Sequence, residues 1–394
     1  MINDIMRKAE AISGEIVGWR RALHAIPECG YELEETCAFV ESVLHGIGIE
    51  DIRTGVGRSG IVADICGGLG EGRTLALRAD MDALPMQEDN DLPYRSRHAG
   101  KMHACGHDGH TAMLLGAAKL AWAERDNFRG KVRFIFQPAE EGGGGARSMI
   151  KDGVLDGVDA VFGCHLVPMD GLPAGSVFFQ KGVALSASDR IDITLLGRGG
   201  HGSAPQDATD AVTLAAQVVN NLQYIVSRQT DPRDALCLTV GTLHAGTAPN
   251  VIAASAELGI SMRSFRQEVR EKALRDIERC VKAVCDGVGA SYEMRVHDGI
   301  RALVCDEASA ELMERACVEL IGREKTVLMK EPGSASDDFA DFLAERPGAY
   351  YQLCCCSGED TSFPPHSPKY KMDDSVLYIG SSVDLGIINR FLNG

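Results

Sequence analysis

The run Asp108-Gly-His-Thr-Ala-Met-Leu-Leu-Gly-Ala-Ala-Lys-Leu-Ala-Trp-Ala-Glu124, followed by Lys131-Val-Arg-Phe-Ile-Phe136, indicates the fold class. The first segment has apolar residues at helical spacing among good helix formers, and the second is a short apolar run typical of a buried strand. Similar strand-like runs lie before the helix, at 60–66 and 74–78, and another follows at 158–163. Strands that alternate with helices predict an α/β domain with a largely parallel sheet.

The pattern changes near residue 187. Residues 190–196 alternate apolar and polar side chains with period two, as in a strand with one wet face. Helix-like, strand-like, strand-like, helix-like and strand-like stretches then follow in turn, at 207–228, 235–243, 256–265, 267–287 and 290–297. The order β-α-β-β-α-β is that of the ferredoxin-like motif. We therefore expect residues 187–297 to form a small α+β domain, inserted into a larger domain made of 1–186 and 298–394.

Composition excludes several classes of protein. A chain of 394 residues is longer than one core usually supports, which agrees with two domains. The net charge of −16 opposes binding to nucleic acid or to anionic membranes. The apolar runs are too short for a membrane helix, and the first residues lack the apolar stretch of a secretory signal. The 13 cysteines are scattered and odd in number, which favours reduced thiols and a cytoplasmic protein.

Metal-ligand side chains are concentrated in Lys101-Met-His-Ala-Cys-Gly-His-Asp-Gly-His110, just before the helix. Cys105 and His107 lie two residues apart, so both side chains can point to one side of an extended turn. Thiolate and imidazole are preferred ligands of Zn and tolerable ligands of Mn, Co or Ni. The alternative is a polar loop that caps the helix, with Asp108 or Thr111 at the N-cap.

Two adjacent carboxylates, Glu140 and Glu141, follow directly after a buried strand in Phe134-Ile-Phe-Gln-Pro-Ala-Glu-Glu-Gly. Sites in open α/β sheets form beyond the carboxyl ends of strands. One carboxylate can ligate a metal while its neighbour acts as a general base. The alternative is a solvated acidic turn.

Three further segments fit the same interpretation. His165 ends an apolar strand, and His366 stands in Phe363-Pro-Pro-His366. Either histidine alone is more often a surface or core residue than a ligand, but with Cys105 and the paired acids they make an intelligible two-ion site. The acids of Leu77-Arg-Ala-Asp-Met-Asp-Ala-Leu-Pro85, Asp80 among them, can orient a metal-ligating histidine. A helix cap or turn cap is the alternative there.

Together these segments resemble the M20 metallopeptidase family, and most closely its aminoacylase and hippurate hydrolase-like branch, which includes auxin-conjugate hydrolases. The matching segments run in family order over nearly the whole chain: Arg20–Glu28, Arg78–Pro85, Met102–His110, Gln137–Gly142, Gly197–Gly202, Ala248–Ile252 and Ser336–Ala340. The resemblance implies a zinc-peptidase-like catalytic domain with a mixed, largely parallel sheet. It also implies that the inserted domain is a lid and dimerisation domain.

The resemblance also implies residue roles and two divalent metal ions, Zn or Mn, with Co or Ni as alternatives. The implied metal ligands are Cys105, which bridges the two ions, His107, Glu141, His165 and His366. Glu140 would be the general base, and Asp80 would lie behind the ligands. His201 would reach the scissile carbonyl, in cis or from a neighbouring subunit, while Asn250 and Arg263 would hold the substrate.

The expected activity is therefore metal-dependent hydrolysis of the amide bond of an N-acyl amino acid or similar small conjugate, by a homodimer or higher homo-oligomer. Within the enzyme class, a dipeptidase or carboxypeptidase is the alternative. Outside it, the alternatives are a non-catalytic metal-binding protein and a binding module with structural zinc, which prefers four closed protein ligands. Departures from the family pattern, such as Leu166 after His165 and the run Cys354-Cys-Cys356, leave the acyl group and the amino acid open.

Overall fold

A computed structural model describes residues 2–394. The chain forms two compact units. The first comprises the chain up to Ala184 together with Val304–Glu331 and Asp338–Gly394, and the second comprises Leu185–Leu303 and Pro332–Asp337. Within the described residues, no helix is long and apolar enough to cross a membrane.

The elements up to Leu185 include five α-helices and seven strands. They are α1 (Ile2–Ala11), α2 (Ser13–His24), α3 (Glu34–Ile47), β1 (Ile52–Val56), β2 (Gly60–Cys66), β3 (Thr74–Asp80), α4 (His107–Glu124), β4 (Lys131–Gln137), α5 (Gly145–Lys151), β5 (Ala160–Val167), β6 (Val177–Phe179) and β7 (Gly182–Leu185).

The rest of the chain first supplies the elements of the second unit and then returns to the first. The next elements are β8 (Ala187–Leu196), β9 (Gly200–His201), α6 (Ala211–Tyr224), β10 (Leu236–Ala245), β11 (Val251–Ile252), β12 (Ser255–Ser264), α7 (Gln267–Asp286) and β13 (Ser291–Val296). The last are β14 (Leu303–Cys305), α8 (Glu307–Ile321), β15 (Thr326–Leu328), α9 (Phe339–Glu345), β16 (Gly348–Cys354) and α10 (Leu377–Asn393).

An eight-stranded sheet, in the order β1-β2-β4-β3-β5-β16-β6-β15, forms the centre of the first unit. The four central strands β4, β3, β5 and β16 are mutually parallel. The neighbouring pairs β1–β2, β2–β4 and β16–β6 are antiparallel. The predicted mixed, largely parallel α/β sheet is thus confirmed. Helix α4 is buried along most of its length, and its buried residues from Ala112 to Ala121 are all apolar. Because the four central strands run the same way, their carboxyl ends meet at one edge of the sheet.

The second unit contains a four-stranded antiparallel sheet in the order β10-β12-β8-β13, and its elements follow the order β-α-β-β-α-β of a ferredoxin-like motif. One face of the sheet is apolar: Ile191, Ile193 and Leu195 of β8 are almost fully buried. They share a core with side chains of both helices, such as Leu214 of α6 and Ile277 of α7. The period-two pattern of β8 arises because only this face is covered.

Helix boundaries are where the sequence-based expectation was least accurate. Apolar residues at helical spacing over 6–24 predict one helix, but the structure divides this stretch at Ile12 into α1 and α2. Ser13 and Gly14 follow the division, and both are weaker helix formers than the residues around them. Helix α6 begins at Ala211 rather than at 207 because the Asp210 side chain accepts a hydrogen bond from the Val212 N–H (3.0 Å) and caps it.

Candidate metal centre

The candidate site lies in the first unit, where the carboxyl ends of neighbouring parallel strands meet. Asp80 is the last residue of β3 and is paired with Gln137, the last residue of β4. Glu140 follows two residues after Pro138, and His165 lies near the end of β5. Three segments that are far apart in sequence therefore deliver polar side chains to the same edge of the sheet.

The loop that carries Cys105 and His107 turns sharply into α4. Gly106 is the N-cap residue and has a φ of 93°, in the left-handed region. A Cβ atom at this position would come within 2.9 Å of the Tyr370 hydroxyl, so the turn has room only for glycine. The helix begins at His107, and no side chain caps it. Neither Asp108 nor Thr111 is its N-cap residue.

Backbone carbonyls orient two of the imidazole rings. The Nδ1–H of His107 donates to the backbone oxygen of Asp82 (2.8 Å), and the Nδ1–H of His165 donates to that of Leu166 (2.8 Å). A carbonyl oxygen can only accept, so the neutral form of each ring has its proton on Nδ1 and its lone pair on Nε2. The Nε2 atom of His165 lies 3.5 Å from Cys105 Sγ.

Glu141 is paired with a histidine from the far end of the chain. His366 Nε2 lies 3.2 Å from Glu141 Oε1. This ion pair raises the pKa of His366. Burial opposes ionisation of Glu141, but His366, together with His107 and the Cys105 thiol, outweighs it and lowers the pKa of that carboxyl.

Backbone strain accompanies this pair. Only three non-glycine residues in 2–394 have positive φ: Arg58, Ala139 (53°) and His366 (64°). Ala139 precedes Glu140, and His366 is itself one of the candidate ligands. The backbone N–H of His366 donates to Ala104 O (2.7 Å), which ties this loop to the one that carries Cys105. Such conformations persist where the surrounding structure holds them, and they concentrate at functional sites.

The side chains form two overlapping groups that share one thiol. Cys105, His107 and His165 each offer a ligand atom, and these atoms lie within 4.8 Å of one another. Cys105, Glu141 and His366 form a second group of the same kind. Two groups with a common sulfur atom are the arrangement that a bridging ligand between two ions requires.

The chemistry of these side chains is better explained by bound metal ions than by a metal-free cluster of polar groups. Burial raises the pKa of the Cys105 thiol, so a thiolate here needs a cation beside it. His107 Nε2 is buried without a hydrogen-bond partner in the described part of the chain. An unpaired buried acceptor is costly, and metal coordination would satisfy it.

Asp82 is a site residue that the sequence-based reasoning did not single out. Its carboxylate accepts hydrogen bonds from the backbone N–H groups of Glu140 (2.9 Å) and Glu141 (3.2 Å). It thereby holds the turn that presents both glutamates. The available signal was its spacing, because residues two apart at the end of an extended strand share a face, and Asp80 was already a candidate.

Asp80 is hydrogen-bonded to His110 and Arg78. Its Oδ1 lies 2.6 Å from His110 Nδ1, and its Oδ2 accepts from Arg78 Nη1 (2.8 Å). The distance from Asp80 Oδ2 to His107 Nε2 is 3.8 Å, longer than a hydrogen bond. Asp80 therefore lies behind the candidate ligands, and the hydrogen bond from His107 Nδ1–H is accepted by the Asp82 carbonyl oxygen.

The remaining three predicted site residues belong to the second unit. His201, in β9, is paired with Val251 of β11 in a small two-stranded sheet, and Asn250, which directly precedes β11, accepts from Gly202 N–H through its backbone oxygen (2.8 Å). The Nδ1 of exposed His201 accepts from Ser203 N–H (3.1 Å), which leaves the ring proton on Nε2. Arg263 stands in β12, in the larger sheet, and its Nη1 donates to the Ser188 hydroxyl.

Known proteins share both the sequence and the fold. The chain is 43% identical over 302 residues to an N-acyl-L-amino acid amidohydrolase from Geobacillus stearothermophilus, covering 76% of this chain and 80% of the relative. It is 36% identical over 399 residues to thermostable carboxypeptidase 1 from Saccharolobus solfataricus, covering 99% of this chain and 100% of the relative.

A solved structure described as a dinuclear metal binding peptidase from the M20 family, from Bacillus subtilis, superposes with a TM-score of 0.83. It is 30% identical, with 97% of this chain and 99% of that chain covered. Residues 76–390 match peptidase family M20/M25/M40. The chain therefore belongs to peptidase family M20/M25/M40.

Proposed function

We propose that this protein is a metal-dependent amidohydrolase that cleaves the amide bond of an N-acyl amino acid or a similar small amino-acid conjugate. One observation carries the proposal: two groups of three candidate ligands share the Cys105 thiol. Cys105, His107 and His165 would hold one divalent ion, and Cys105, Glu141 and His366 would hold the other. The sulfur- and nitrogen-containing set suits Zn, and Mn, Co or Ni are the alternatives.

The bound ions would supply a water of lowered pKa and a Lewis acid for the substrate carbonyl. Glu140 is nine-tenths buried beside this centre, and its turn is held by Asp82. The Glu140 carboxylate takes the proton of the attacking water and passes it to the leaving amine nitrogen. A positioned general base of this kind contributes about 10²- to 10⁴-fold to the rate.

His201 would stabilise the carbonyl oxygen as negative charge develops on it. Its Nδ1 already accepts the Ser203 N–H, so the neutral ring presents Nε2–H as a donor. Asn250 and Arg263 would hold the free carboxylate of the amino-acid part, for which a guanidinium is well suited. We propose that the second unit acts as a lid, and that the protein is a cytoplasmic homodimer or higher homo-oligomer.

A carboxypeptidase or dipeptidase is the second candidate function, because a relative named as a carboxypeptidase aligns with 99% of this chain. Both activities use the same metal centre, so they differ in the groups that the scissile amide bond joins. In one case it joins an acyl group to an amino acid, and in the other it joins two amino acids. Substrate preference, and not the metal site, separates them.

The test is hydrolysis of a panel of N-acyl amino acids, dipeptides and N-blocked peptides. Each is assayed with the purified protein, after chelation, and after Zn²⁺ or Mn²⁺ is added back. Metal-restored release of an amino acid from the acyl amino acids supports the proposal, whereas preference for the peptides favours the second candidate. Two bound ions without any turnover would point to a non-catalytic metal-binding protein.

A further inference from the structure

His110 has a side chain of ligand type beside the candidate centre, yet both of its ring nitrogens are engaged elsewhere. The residue is fully buried, three positions after His107 on α4. Its Nδ1 lies 2.6 Å from Asp80 Oδ1. Its Nε2 accepts a hydrogen bond from the backbone N–H of Leu166 (2.8 Å).

These two contacts determine the protonation of the ring. A backbone N–H can only donate, so Nε2 carries a lone pair and the ring is neutral. The proton is then on Nδ1 and is donated to Asp80. Asp80, His107 and His110 are close enough to form a candidate metal group of their own. His110 cannot bind an ion there without giving up one of its two hydrogen bonds.

The Leu166 peptide links His110 to a proposed metal ligand. Its N–H is bonded to His110, while its carbonyl accepts the Nδ1–H of His165 (2.8 Å). The two imidazole rings also pack edge to face, with centroids 4.4 Å apart. The position of His165 Nε2 therefore depends on where His110 holds this peptide.

The other side of His110 is anchored in a buried polar chain. Asp80 Oδ2 accepts from Arg78 Nη1, whose guanidinium also donates to Gln137 (2.8 Å) and Asp338 (3.1 Å). Arg78 and Asp80 are both almost fully buried. A buried series of hydrogen-bonded side chains is rigid when each of its donors and acceptors has a partner.

We propose that His110 is a positioning residue, not a metal ligand, whose Nε2 lone pair holds the Leu166 peptide and thereby sets the position of His165. This inference rests on the proposed two-ion site. The lone pair would secure only one of the two ions, the one bound by the group that contains His165. Loss of an outer hydrogen-bond partner of a ligating histidine typically lowers metal affinity about 10- to 100-fold.

Two substitutions separate the two hydrogen bonds of the ring. In H110Q, the amide oxygen can take the place of Nε2 and accept from Leu166 N–H. In H110N, the amide group can take the place of Nδ1 and donate to Asp80, but it does not reach Leu166. Zn²⁺ content and affinity are measured for each by chelator competition, together with hydrogen exchange of the segment 160–167 in the metal-free protein.

The expected result is that wild type and H110Q bind two ions with affinities within a few-fold of each other. H110N should bind one ion normally and the other about 10- to 100-fold more weakly, with faster exchange at Leu166. Equal two-ion binding by wild type and H110N would overturn the inference while leaving the proposed function standing. Fewer than two ions in the wild type would instead remove the proposed function.

The inference stays testable even if H110N does not fold. Loss of an ion by a folded H110Q protein with a protected Leu166 amide would contradict it. The ring ¹⁵N resonances of His110 in the metal-free wild-type protein, assigned by their absence from H110Q, should show a protonated Nδ1 and an unprotonated Nε2. A protonated Nε2 would overturn the inference without any functional assay.

Discussion

His366 Nε2 lies 3.2 Å from Glu141 Oε1, although more than half of the chain separates the two residues in sequence. Glu141 is presented by the turn after β4, and His366 by a loop with a left-handed backbone conformation at that residue. The contact joins the last candidate ligand to the others, so the site needs segments from both parts of the first unit that flank the second unit in sequence.

Replacing His366 should remove one of the two ions. In H366A the group formed with Cys105 and Glu141 loses its only nitrogen ligand, while the group that contains His107 and His165 is unchanged. We expect metal analysis to find about one ion per chain, and activity to fall at least about 100-fold. The matched control is H45A, at an exposed histidine. Two ions retained in H366A would contradict its assignment as a ligand.

Replacing Glu140 should separate catalysis from metal binding. E140Q keeps the size and the backbone contacts of the residue but cannot accept a proton. We expect kcat to fall by about 10²- to 10⁴-fold with two ions still bound, as measured by amino-acid release and metal analysis. E345Q, at an exposed glutamate, is the control. Near-full activity in E140Q would exclude Glu140 as the base.

Replacing His201 should affect the rate without affecting the metal content. H201A removes the Nε2–H donor proposed for the carbonyl oxygen, and one such donor is worth about 100- to 1,000-fold in kcat. We expect that loss together with wild-type ion content, and H244A, at an exposed histidine of the same unit, should behave as wild type. A change in KM alone would show that His201 binds substrate without stabilising the transition state.

Replacing Asp82 should loosen the turn that presents both glutamates. An Asn side chain has one acceptor oxygen, so D82N cannot receive both backbone N–H groups as well as the carboxylate does. We expect about 1–3 kcal/mol less stability in denaturant and about 10- to 100-fold lower kcat. D89N, at an exposed aspartate, is the control. Unchanged kinetics would mean that the turn does not depend on this carboxylate.

A buried acid outside the candidate centre should make stability depend on pH. Burial raises the pKa of Asp384, which accepts a hydrogen bond from the Tyr351 hydroxyl (3.0 Å), from 3.8 to about 7. Because the folded pKa is the higher one, the protonated acid favours the folded state. Its stabilising contribution is complete below about pH 4 and is lost as the pH rises through about 7.

D384N does not titrate at this position, so it isolates that contribution. Relative to D384N, the wild type should lose on the order of 3 kcal/mol of unfolding free energy between about pH 5 and about pH 8. Urea denaturation at the two pH values measures the difference. D360N, at a strongly exposed aspartate, should show no such relative change. An equal difference at both pH values would contradict a raised pKa.

The sequence alone determined the fold class and the chemical character of the site. Apolar periodicity is local, so the strand at 131–136, the helix after the Cys105 loop and the alternating strand at 190–196 could be recognised from the sequence without knowledge of what packs against them. The residue types of Cys105 and His366 likewise indicated a metal, since thiol and imidazole are ligands whatever surrounds them. The division at Ile12 was not predicted, although Ser13 and Gly14, which follow it, are weaker helix formers than the residues around them.

Only the tertiary structure decided which polar group faces which. From sequence, Asp80 was expected to lie behind the ligands, and Asp82, two residues later, had no assigned role. In the fold, Asp82 receives the N–H groups of the glutamate turn, whereas Asp80 is bonded to His110 and Arg78. The alignment of β3 with β4 and the position of α4 determine these contacts. Both depend on pairing between distant segments, and hydrogen bonds form only within about 3 Å and in the right direction, so sequence spacing alone does not specify them.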